Sequence, residues 1–318
     1  MRAKCSEGEF IELFSTLGPT ETARKLKITL RTVLKRRHNI ERLGKVVINS
    51  PRITAGRPLA PVEHQARIGL QVDDGVILVG GDAHIWPGPP STAMRAFTEF
   101  CKGVDGERPK AVILNGDVLD FPQVSRFLPI GWETMPTVQH EIEEAQDQLS
   151  KIEKATFRTR KIWTLGNHDS RFETRLAHLA PEYAKVHGVH LKDHFPNWEP
   201  CWAVWVNDNT VIKHRFKGGI HAVYNNAVFS GKHIITGHLH SAKVTPFTDY
   251  NGTRYGVDTG CLAETSARQF VDYTEDSPKN WISAFCVLTY VKGVLLWPEL
   301  VVVVDEDHIQ FRGKIIHV

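Results

Sequence analysis

The sequence predicts a layered α/β sandwich that follows a small all-α domain. Residues 1–48 contain helical patterns and hold 11 Lys+Arg against 5 Asp+Glu, a net charge of +6. From about residue 67, short apolar strands alternate with helices, as they do in layered α/β folds. The C-terminal part consists of strands and turns, which predicts extra strands added to the sandwich. The remaining residues hold 28 Lys+Arg against 31 Asp+Glu, so the two parts are expected to have different partners.

The composition is that of a globular protein, with 318 residues of which 42% are hydrophobic and 24% charged. The five cysteines are far apart and never form a C-x-x-C pair, which argues against a disulfide scaffold or zinc knuckle and predicts a reducing compartment. No signal-peptide core is present, and no apolar run reaches the roughly 20 residues of a membrane span. We therefore expect a soluble cytoplasmic protein with no membrane partner.

The N-terminal part, residues 1–48, resembles a helix-turn-helix domain. GEFIELFSTLG predicts a first helix, and ETARKLK followed by ITLRTVLKRR predicts two short helices across a tight turn. Four apolar residues have the spacing that packs these two helices together: Ala23, Leu26, Ile28 and Val33. The last helix would be the recognition helix, with four basic residues for nucleic acid: Arg31, Lys35, Arg36 and Arg37. The alternative is a basic helical cap that touches no nucleic acid, and Lys27 stands where such turns commonly have Gly.

A linker or arm over residues 49–69 is predicted from prolines, turn residues and isolated apolar residues without helical period. The larger domain then occupies residues 70–318. RIGLQV and GVILVGGD are expected to be strands that flank a hairpin-like turn at Asp73-Asp74-Gly75. A helix at about 91–103, strand AVILNGD, a helix at about 136–156 and strand KIWTLGN follow. CWAVWVND and NTVIKH are expected to pair, followed by strand HIITGH and the C-terminal strands in FCVLTYV, GVLLWPELVVVV and HIQFRGKIIHV.

Five of these strands end in residues that bind metal ions. The residues are Asp82 and His84, Asp117, Asn167, His214, and His238 with His240. Because ligand sites in open α/β sheets lie at the carboxyl ends of strands, we expect these side chains to converge. Carboxylate, imidazole and amide oxygen suit divalent manganese, iron or zinc, and Asp117 is placed to bridge two ions. A Gly before several of the ligands would let the backbone turn sharply off the strand.

These motifs resemble those of the calcineurin-like metallophosphoesterases: D-x-H, G-D-x-x-D, G-N-H-D, a lone His and G-H-x-H, in that order. The resemblance covers residues 70–318 and implies a four-layer α/β/β/α sandwich with two divalent ions. It implies manganese first, with iron, zinc or nickel as the other candidates. One ion would be held by Asp82, His84, Asp117 and His240, and the other by Asp117, Asn167, His214 and His238. His168 would face the leaving group, and Asp169 would orient it.

Differences from the family pattern reduce the number of substrate classes that the resemblance implies. Phe121 follows Asp120 where the protein-phosphatase branch has a phosphate-binding Arg. Arg171 is the candidate phosphate clamp, because a guanidinium matches phosphate oxygens, although it could equally be a surface residue of the next helix. The lone His is assigned to His214, with His221 as the alternative. Phage- or prophage-borne members of the family are similar in two segments: the C-terminal segment NWISAFCVLTYVKGVLLWPELV and the basic residues 1–48, which we call the basic head. Such an origin would place the protein in the host cytoplasm.

The predicted activity is phosphoester hydrolysis by a metal-bound hydroxide, with His168 as the general acid. The basic head favours a phosphodiesterase or nuclease that acts on nucleic acid. The alternatives are a phosphomonoesterase acting on nucleotides or phosphoproteins, and a DNA-binding regulatory protein with a structural metal domain. The sequence has no G-x-x-x-x-G-K-[ST] motif, so no nucleotide cofactor is expected. It does not indicate the oligomeric state.

Overall fold

The computed structural model describes residues 5–44, 48, 66–127, 129–132, 134–275 and 277–318. The chain divides into two compact units, Met1–His64 and Gln65–Val318. Most of the predicted linker, residues 49–65, lies outside the described residues. Residues 67–69, which we assigned to the linker, belong instead to the first strand of the larger unit.

The smaller unit contains two helices, α1 (Glu7–Leu26) and α2 (Leu30–Gly44). Ser6 and Glu9 form a capping box that satisfies the first backbone donors of α1. Gly18 has non-helical angles (φ 77°, ψ 174°) just before Pro19, and this kink divides α1 into two helical parts. Lys27 ends the helix in the left-handed region at φ 50°, the conformation that Gly would adopt with least strain.

The core of the smaller unit lies between α1 and α2. Phe10, Phe14, Val33 and Ile40 are buried there, and Ala23, Leu26 and Ile28 pack against them. The four residues predicted to pack these helices together, Ala23, Leu26, Ile28 and Val33, all belong to this cluster. Two phenylalanines from the first part of α1 are buried in the same cluster.

The larger unit adds six α-helices, two short 3-10 helices (Pro122–Val124 and Pro181–Tyr183) and fifteen strands within the described residues. The helices are α3 (Thr92–Lys102), α4 (Val138–Ala155), α5 (Asp169–Leu179), α6 (Leu191–His194), α7 (Ala222–Ser230) and α8 (Arg268–Thr274). The strands are β1 (Arg67–Leu70), β2 (Gly75–Gly80), β3 (Ala111–Asn115), β4 (Arg160–Thr164), β5 (Glu199–Cys201), β6 (Ala203–Val206), β7 (Thr210–Ile212), β8 (His233–Thr236), β9 (Lys243–Asp249), β10 (Gly252–Asp258), β11 (Ala284–Val291), β12 (Val294–Leu295), β13 (Glu299–Val303), β14 (His308–Phe311) and β15 (Lys314–His317).

The strands form two sheets. One has the order β1-β6-β7-β8-β10-β9, and the other has the order β15-β14-β13-β11-β2-β3-β4-β5, with β12 paired to β11. The predicted pairing of β6 with β7 is confirmed. The predicted hairpin between β1 and β2 is wrong, because the two strands belong to different sheets. The strand β2 is buried along nearly its whole length, and it pairs with β3 and β11 instead.

The alternate side chains of β2 show which layer covers each face of its sheet. Ile77 and Val79 of β2 point into the core between the two sheets, whereas Val76 and Leu78 point into the core beneath α3 and α4. On the other sheet, α7 packs against β8, β9 and β10. The predicted α/β/β/α sandwich is therefore confirmed. Among the described residues, no helix combines the length and the apolar character needed to cross a bilayer.

Candidate active site and metal centre

The predicted ligands lie just beyond the carboxyl ends of strands in both sheets. β2, β3 and β4 are parallel neighbours, and the loops after them carry Asp82 and His84, then Asp117, then Asn167. β7 and β8 are parallel neighbours in the other sheet, and they are followed by His214 and by the G-H-x-H motif. Because parallel neighbours end at one edge of a sheet, each sheet brings its own ligands together.

The described residues contain three groups of potential metal ligands, of which one is His84, Asp120 and His168 and the other two consist of predicted ligands alone. Asp82, His84 and His240 have ligand atoms within 4.8 Å of one another. Asp117, His214 and His238 form a second such group. Each of these two groups contains three of the four residues of one ligand set that the family resemblance implies, and both combine residues that follow strands of the two sheets.

Buried atoms without hydrogen-bond partners show that this site fits metal ions. The atoms are His84 Nε2, His214 Nε2, His240 Nδ1 and Asn167 Oδ1. The other ring nitrogen of each histidine is engaged: His84 Nδ1 with Asp120 Oδ1 at 3.0 Å, and His214 Nδ1 with the Asn115 carbonyl at 2.8 Å. His240 Nε2 lies 3.1 Å from Asp82 Oδ1. Such contacts fix a ring and leave its second nitrogen free for a metal. His214 Nε2 lies 3.1 Å from Asp117 Oδ2 without forming a hydrogen bond, as two ligands of one ion would.

The backbone at the site is strained. Five of the seven predicted ligands have positive φ: Asp82 (54°), His84 (41°), Asp117 (47°), His238 (73°) and His240 (56°). Each such residue costs roughly 1–3 kcal/mol, and clusters of them occur at functional sites. Backbone hydrogen bonds between adjoining loops hold the conformation, from Asp82 N to Gly116 O at 2.8 Å and from His84 N to Asp117 O at 3.0 Å.

The glycines before the ligands have two different roles. Gly116 turns the backbone at φ 80°, as predicted. Gly166 and Gly237 do not have positive φ, so their role is steric. A Cβ on Gly166 would collide with the Asp117 carboxylate, and a Cβ on Gly237 would collide with the Asp82 carboxylate. These two glycines therefore make room for ligand side chains.

The pKa values of the site residues depend on burial and on the opposite charges of neighbouring side chains. Burial alone would raise the pKa of Asp82, but the charges of His214 and His240 outweigh it and lower this pKa. Burial would lower the pKa of His214, but the nearby carboxylates of Asp82 and Asp117 raise it to about 10. Burial lowers the pKa of His84. A site of buried carboxylates and imidazoles is thus suited to cations.

Asp120 joins the predicted catalytic histidine to the ligand His84. Its carboxylate lies 2.6 Å from His168 Nδ1, which also lies 3.0 Å from the Asp120 carbonyl oxygen. Arg171 donates to the same carbonyl oxygen at 2.8 Å, and its second nitrogen lies 3.0 Å from His168 Nε2. The structure therefore brings His168 and Arg171 together beside the ligand groups. Arg171 is half-buried, and its role as a phosphate clamp stays a prediction.

Asp169 does not contact His168, in contrast to the expectation that it orients this ring. Its two carboxylate oxygens accept hydrogen bonds from the backbone nitrogens of Val118, Leu119 and Gly166 and from the Trp163 indole. Burial raises its pKa to about 6. Asp169 is positioned to join the loops after β3 and β4, whereas Asp120 occupies the place beside His168.

Two further carboxylates were not assigned a role from the sequence. The sequence could have indicated a role for Asp120, because it is the last residue of the G-D-x-x-D motif. Glu141 is buried on the apolar face of α4 and accepts a hydrogen bond from Phe121 N at 2.8 Å. It thereby holds the loop that carries Asp120, and burial raises its pKa to about 8. A charged residue in the apolar stripe of an amphipathic helix was its only signal.

The other residues predicted from the sequence are His221, the alternative ligand, and the four basic residues expected to contact nucleic acid. His221 is exposed at the start of α7 and belongs to neither ligand group. In the smaller unit, Arg31 and Lys35 are exposed on α2. Arg36 donates to the Cys5 carbonyl at 2.7 Å, and Arg37 donates to Glu41 at 3.0 Å. The unit itself therefore engages two of the four predicted nucleic-acid contacts.

Comparisons with known proteins point in one direction. Residues 75–244, more than half of the chain, match the family model for calcineurin-like phosphoesterases. No curated protein matches the sequence. Vps29 complexed with zinc from Entamoeba histolytica shares 13% identity at a TM-score of 0.40, covering 76% of this chain and 99% of that one. A serine/threonine phosphatase from Saccharomyces cerevisiae shares 11% identity at a TM-score of 0.37, covering 76% of this chain and 84% of that one.

At such identities and TM-scores, the solved structures transfer no activity to this chain. The match to the family model is different, because it spans the segment in which both ligand groups and the His168 site are found. The chain belongs to the calcineurin-like phosphoesterase family and is a metal-dependent phosphoesterase.

Proposed function

We propose that the protein hydrolyses phosphodiester bonds in nucleic acid with two divalent ions, manganese being the first candidate. The observation that carries this proposal is a set of four buried ligand atoms without hydrogen-bond partners, namely three histidine nitrogens of the two ligand groups and Asn167 Oδ1. When bound, two such ions supply Lewis-acid activation of water and neutralise charge on the phosphoryl oxygens. Asp82, His84, Asp117 and His240 would hold one ion, and Asp117, Asn167, His214 and His238 would hold the other.

His168 and Arg171 are the residues proposed to act on the ester itself. Both His168 Nε2 and the Arg171 guanidinium face the same small region, 3.0 Å apart. When His168 is protonated, both groups are N–H donors, and a phosphate oxygen bound beside the pair would accept from both. His168 would then protonate the departing oxygen, while Asp120 holds its other nitrogen.

Nucleic acid is proposed as the substrate because of the charge on the smaller unit. Residues 1–48 have a net charge of +6, and Arg31 and Lys35 are exposed on α2. A basic helix that follows a tight turn can contact phosphates in a groove of a duplex. The four-residue contact set predicted from sequence is reduced to two here, because Arg36 and Arg37 already have partners.

The test is a screen of metals against two small esters. The metal-free protein is supplied with manganese, iron, zinc or nickel, and hydrolysis of bis-p-nitrophenyl phosphate is compared with that of p-nitrophenyl phosphate. We expect the diester to be preferred. Preference for the monoester would assign the protein to phosphomonoesterases. Absence of turnover with every metal would contradict the hydrolytic proposal.

Asp117→Ala provides the matched test of the metal assignment. We expect this variant to lose activity and at least one ion per chain, because Asp117 is proposed to bridge both ions. The ions are counted by mass spectrometry of the purified variant and the parent. A variant that keeps two ions and normal turnover would remove Asp117 from the site.

A further inference from the structure

A basic and aromatic surface adjoins the predicted metal ligand His214. We define the 213–217 surface as Lys213, Arg215, Phe216 and Lys217, together with Phe229 of α7. Residues 213–217 directly follow the last residue of β7, Ile212, so they leave the strand at its carboxyl end, where the predicted ligands also lie. None of these residues has a role in the site described above.

The cations of this surface lie against exposed rings. Lys217 Nζ is 5.4 Å from the centre of the Phe216 ring and 5.2 Å from that of Phe229. Lys213 Nζ is 5.5 Å from the Phe216 ring. Phe216 is 43% exposed and Phe229 is 66% exposed. Two large rings that remain accessible beside ammonium groups form a surface that is both apolar and positively charged.

The surface is anchored to the fold. The backbone nitrogen of Lys217 donates to the side chain of Asn226, at 2.9 Å, and Asn226 is buried in α7. This bond fixes the segment against the helix that carries Phe229. The two exposed rings are therefore held on a common support beside the end of β7.

Within the described residues, no acidic side chain forms an ion pair with the basic residues of this surface. Residues 209–248 contain five Lys or Arg and no Asp or Glu. Among the ion pairs of the described residues, none involves Lys213, Arg215 or Lys217.

We propose that the 213–217 surface binds a single-stranded nucleic acid and leads it to the metal centre. The proposal rests on the proposed function and specifies its substrate as single-stranded. Lysine and arginine would contact successive phosphates, and Phe216 and Phe229 would stack on bases. Base faces are available for stacking on side chains in single strands but not inside a duplex.

The experiment measures binding of a fluorescein-labelled oligothymidylate to the full-length protein by anisotropy, in EDTA so that hydrolysis does not interfere. The variants are Phe216→Ala, Phe229→Ala, Lys217→Gln and Lys217→Arg. The control pair is Phe157→Ala and Arg158→Gln, another exposed phenylalanine with a cation 5.5 Å from its ring. That pair precedes β4, at the end of the strand opposite to the ligands.

We expect each phenylalanine variant to weaken binding roughly tenfold, as removal of one stacked base does. Lys217→Gln should reduce the slope of log affinity against log salt by about 0.7, and Lys217→Arg should keep it. The control pair should bind like the parent. Losses below twofold in both phenylalanine variants, or equal losses in the controls, would overturn the proposal.

A second measurement separates this proposal from the proposed function. With metal present, kcat/KM is determined for the oligonucleotide and for bis-p-nitrophenyl phosphate, and their ratio should fall in the phenylalanine variants. If the parent hydrolyses neither substrate, the proposed function fails, while the anisotropy result still decides whether the surface binds single strands. If the parent hydrolyses both and the ratio does not change, only the surface proposal fails.

Discussion

The carboxylate of Asp120 lies 2.6 Å from Nδ1 of His168. The same oxygen lies 3.0 Å from Nδ1 of His84, so one acid orients both the proposed general acid and a proposed metal ligand. Neighbouring carboxylates of this kind fix the tautomer of a ligating histidine and increase its basicity. The last residue of the G-D-x-x-D motif thereby connects the metal centre to the proposed proton donor.

Replacement of this carboxylate should separate its effect from that of the ligands. We expect Asp120→Asn to reduce kcat for diesters with alkyl leaving groups by about 10–100-fold, because an amide cannot support a protonated His168. The rate is measured together with the metal content. Asp147→Asn is the control, since Asp147 is exposed and bonded only to Lys151 among its side-chain contacts. Equal rates for Asp120→Asn and the parent would exclude the orienting role.

His168→Ala should keep both ions, because His168 belongs to neither of the two proposed ligand sets. We expect it to lose about 10²–10⁴-fold in hydrolysis of esters with poor leaving groups. A p-nitrophenolate leaving group needs little protonation, so its ester should be affected less. Steady-state rates on an alkyl and a nitrophenyl ester, with metal analysis, provide the measurement. Equal losses on the two esters would argue against general acid catalysis.

Gly166→Ala should disturb the metal centre without altering any ligand. The new Cβ would collide with the Asp117 carboxylate, so either Asp117 or the loop must move. We expect a destabilisation of about 1–3 kcal/mol, as for other overpacked sites, together with weaker metal retention. Thermal unfolding and metal titration measure the two effects. Gly69→Ala is the control because a Cβ there meets nothing within 4 Å. Normal metal binding in Gly166→Ala would contradict the steric role.

Deletion of residues 1–48 should affect nucleic-acid binding more than small-ester hydrolysis. All proposed ligands follow residue 81, and the larger unit has its own core clusters. We expect weaker binding of labelled duplex DNA, with a salt slope reduced by roughly 0.9 for each phosphate that the shortened chain no longer neutralises. Fluorescence anisotropy at several salt concentrations compares the two chains. If both bind alike, the head is a structural cap, and if the deletion abolishes ester hydrolysis, the catalytic unit begins earlier.

Local pattern was sufficient for the elements that bear the site. The apolar strands before Asp117 and Asn167 are continuous as predicted, but they end at Asn115 and Thr164, two and three residues before these ligands. The pairing of β1 with β6 was not predictable from the turn at Asp73-Asp74-Gly75. A turn sequence specifies a local change of direction, whereas the sheet that a strand joins depends on burial of both its faces by distant segments.

The sequence alone predicted the candidate metal ligands and their order, because metal binding needs carboxylate, imidazole or amide groups and these follow apolar strands along the chain. The tertiary structure alone decided which carboxylate serves which histidine. Asp169 is adjacent to His168 in the chain, yet its carboxylate is directed to the backbone of Val118 and Gly166. Asp120, 48 residues away, contacts the ring instead. Consecutive residues at the start of a helix point their side chains in different directions. Loops that follow adjacent parallel strands lie next to each other, so they bring together residues that are distant in the chain.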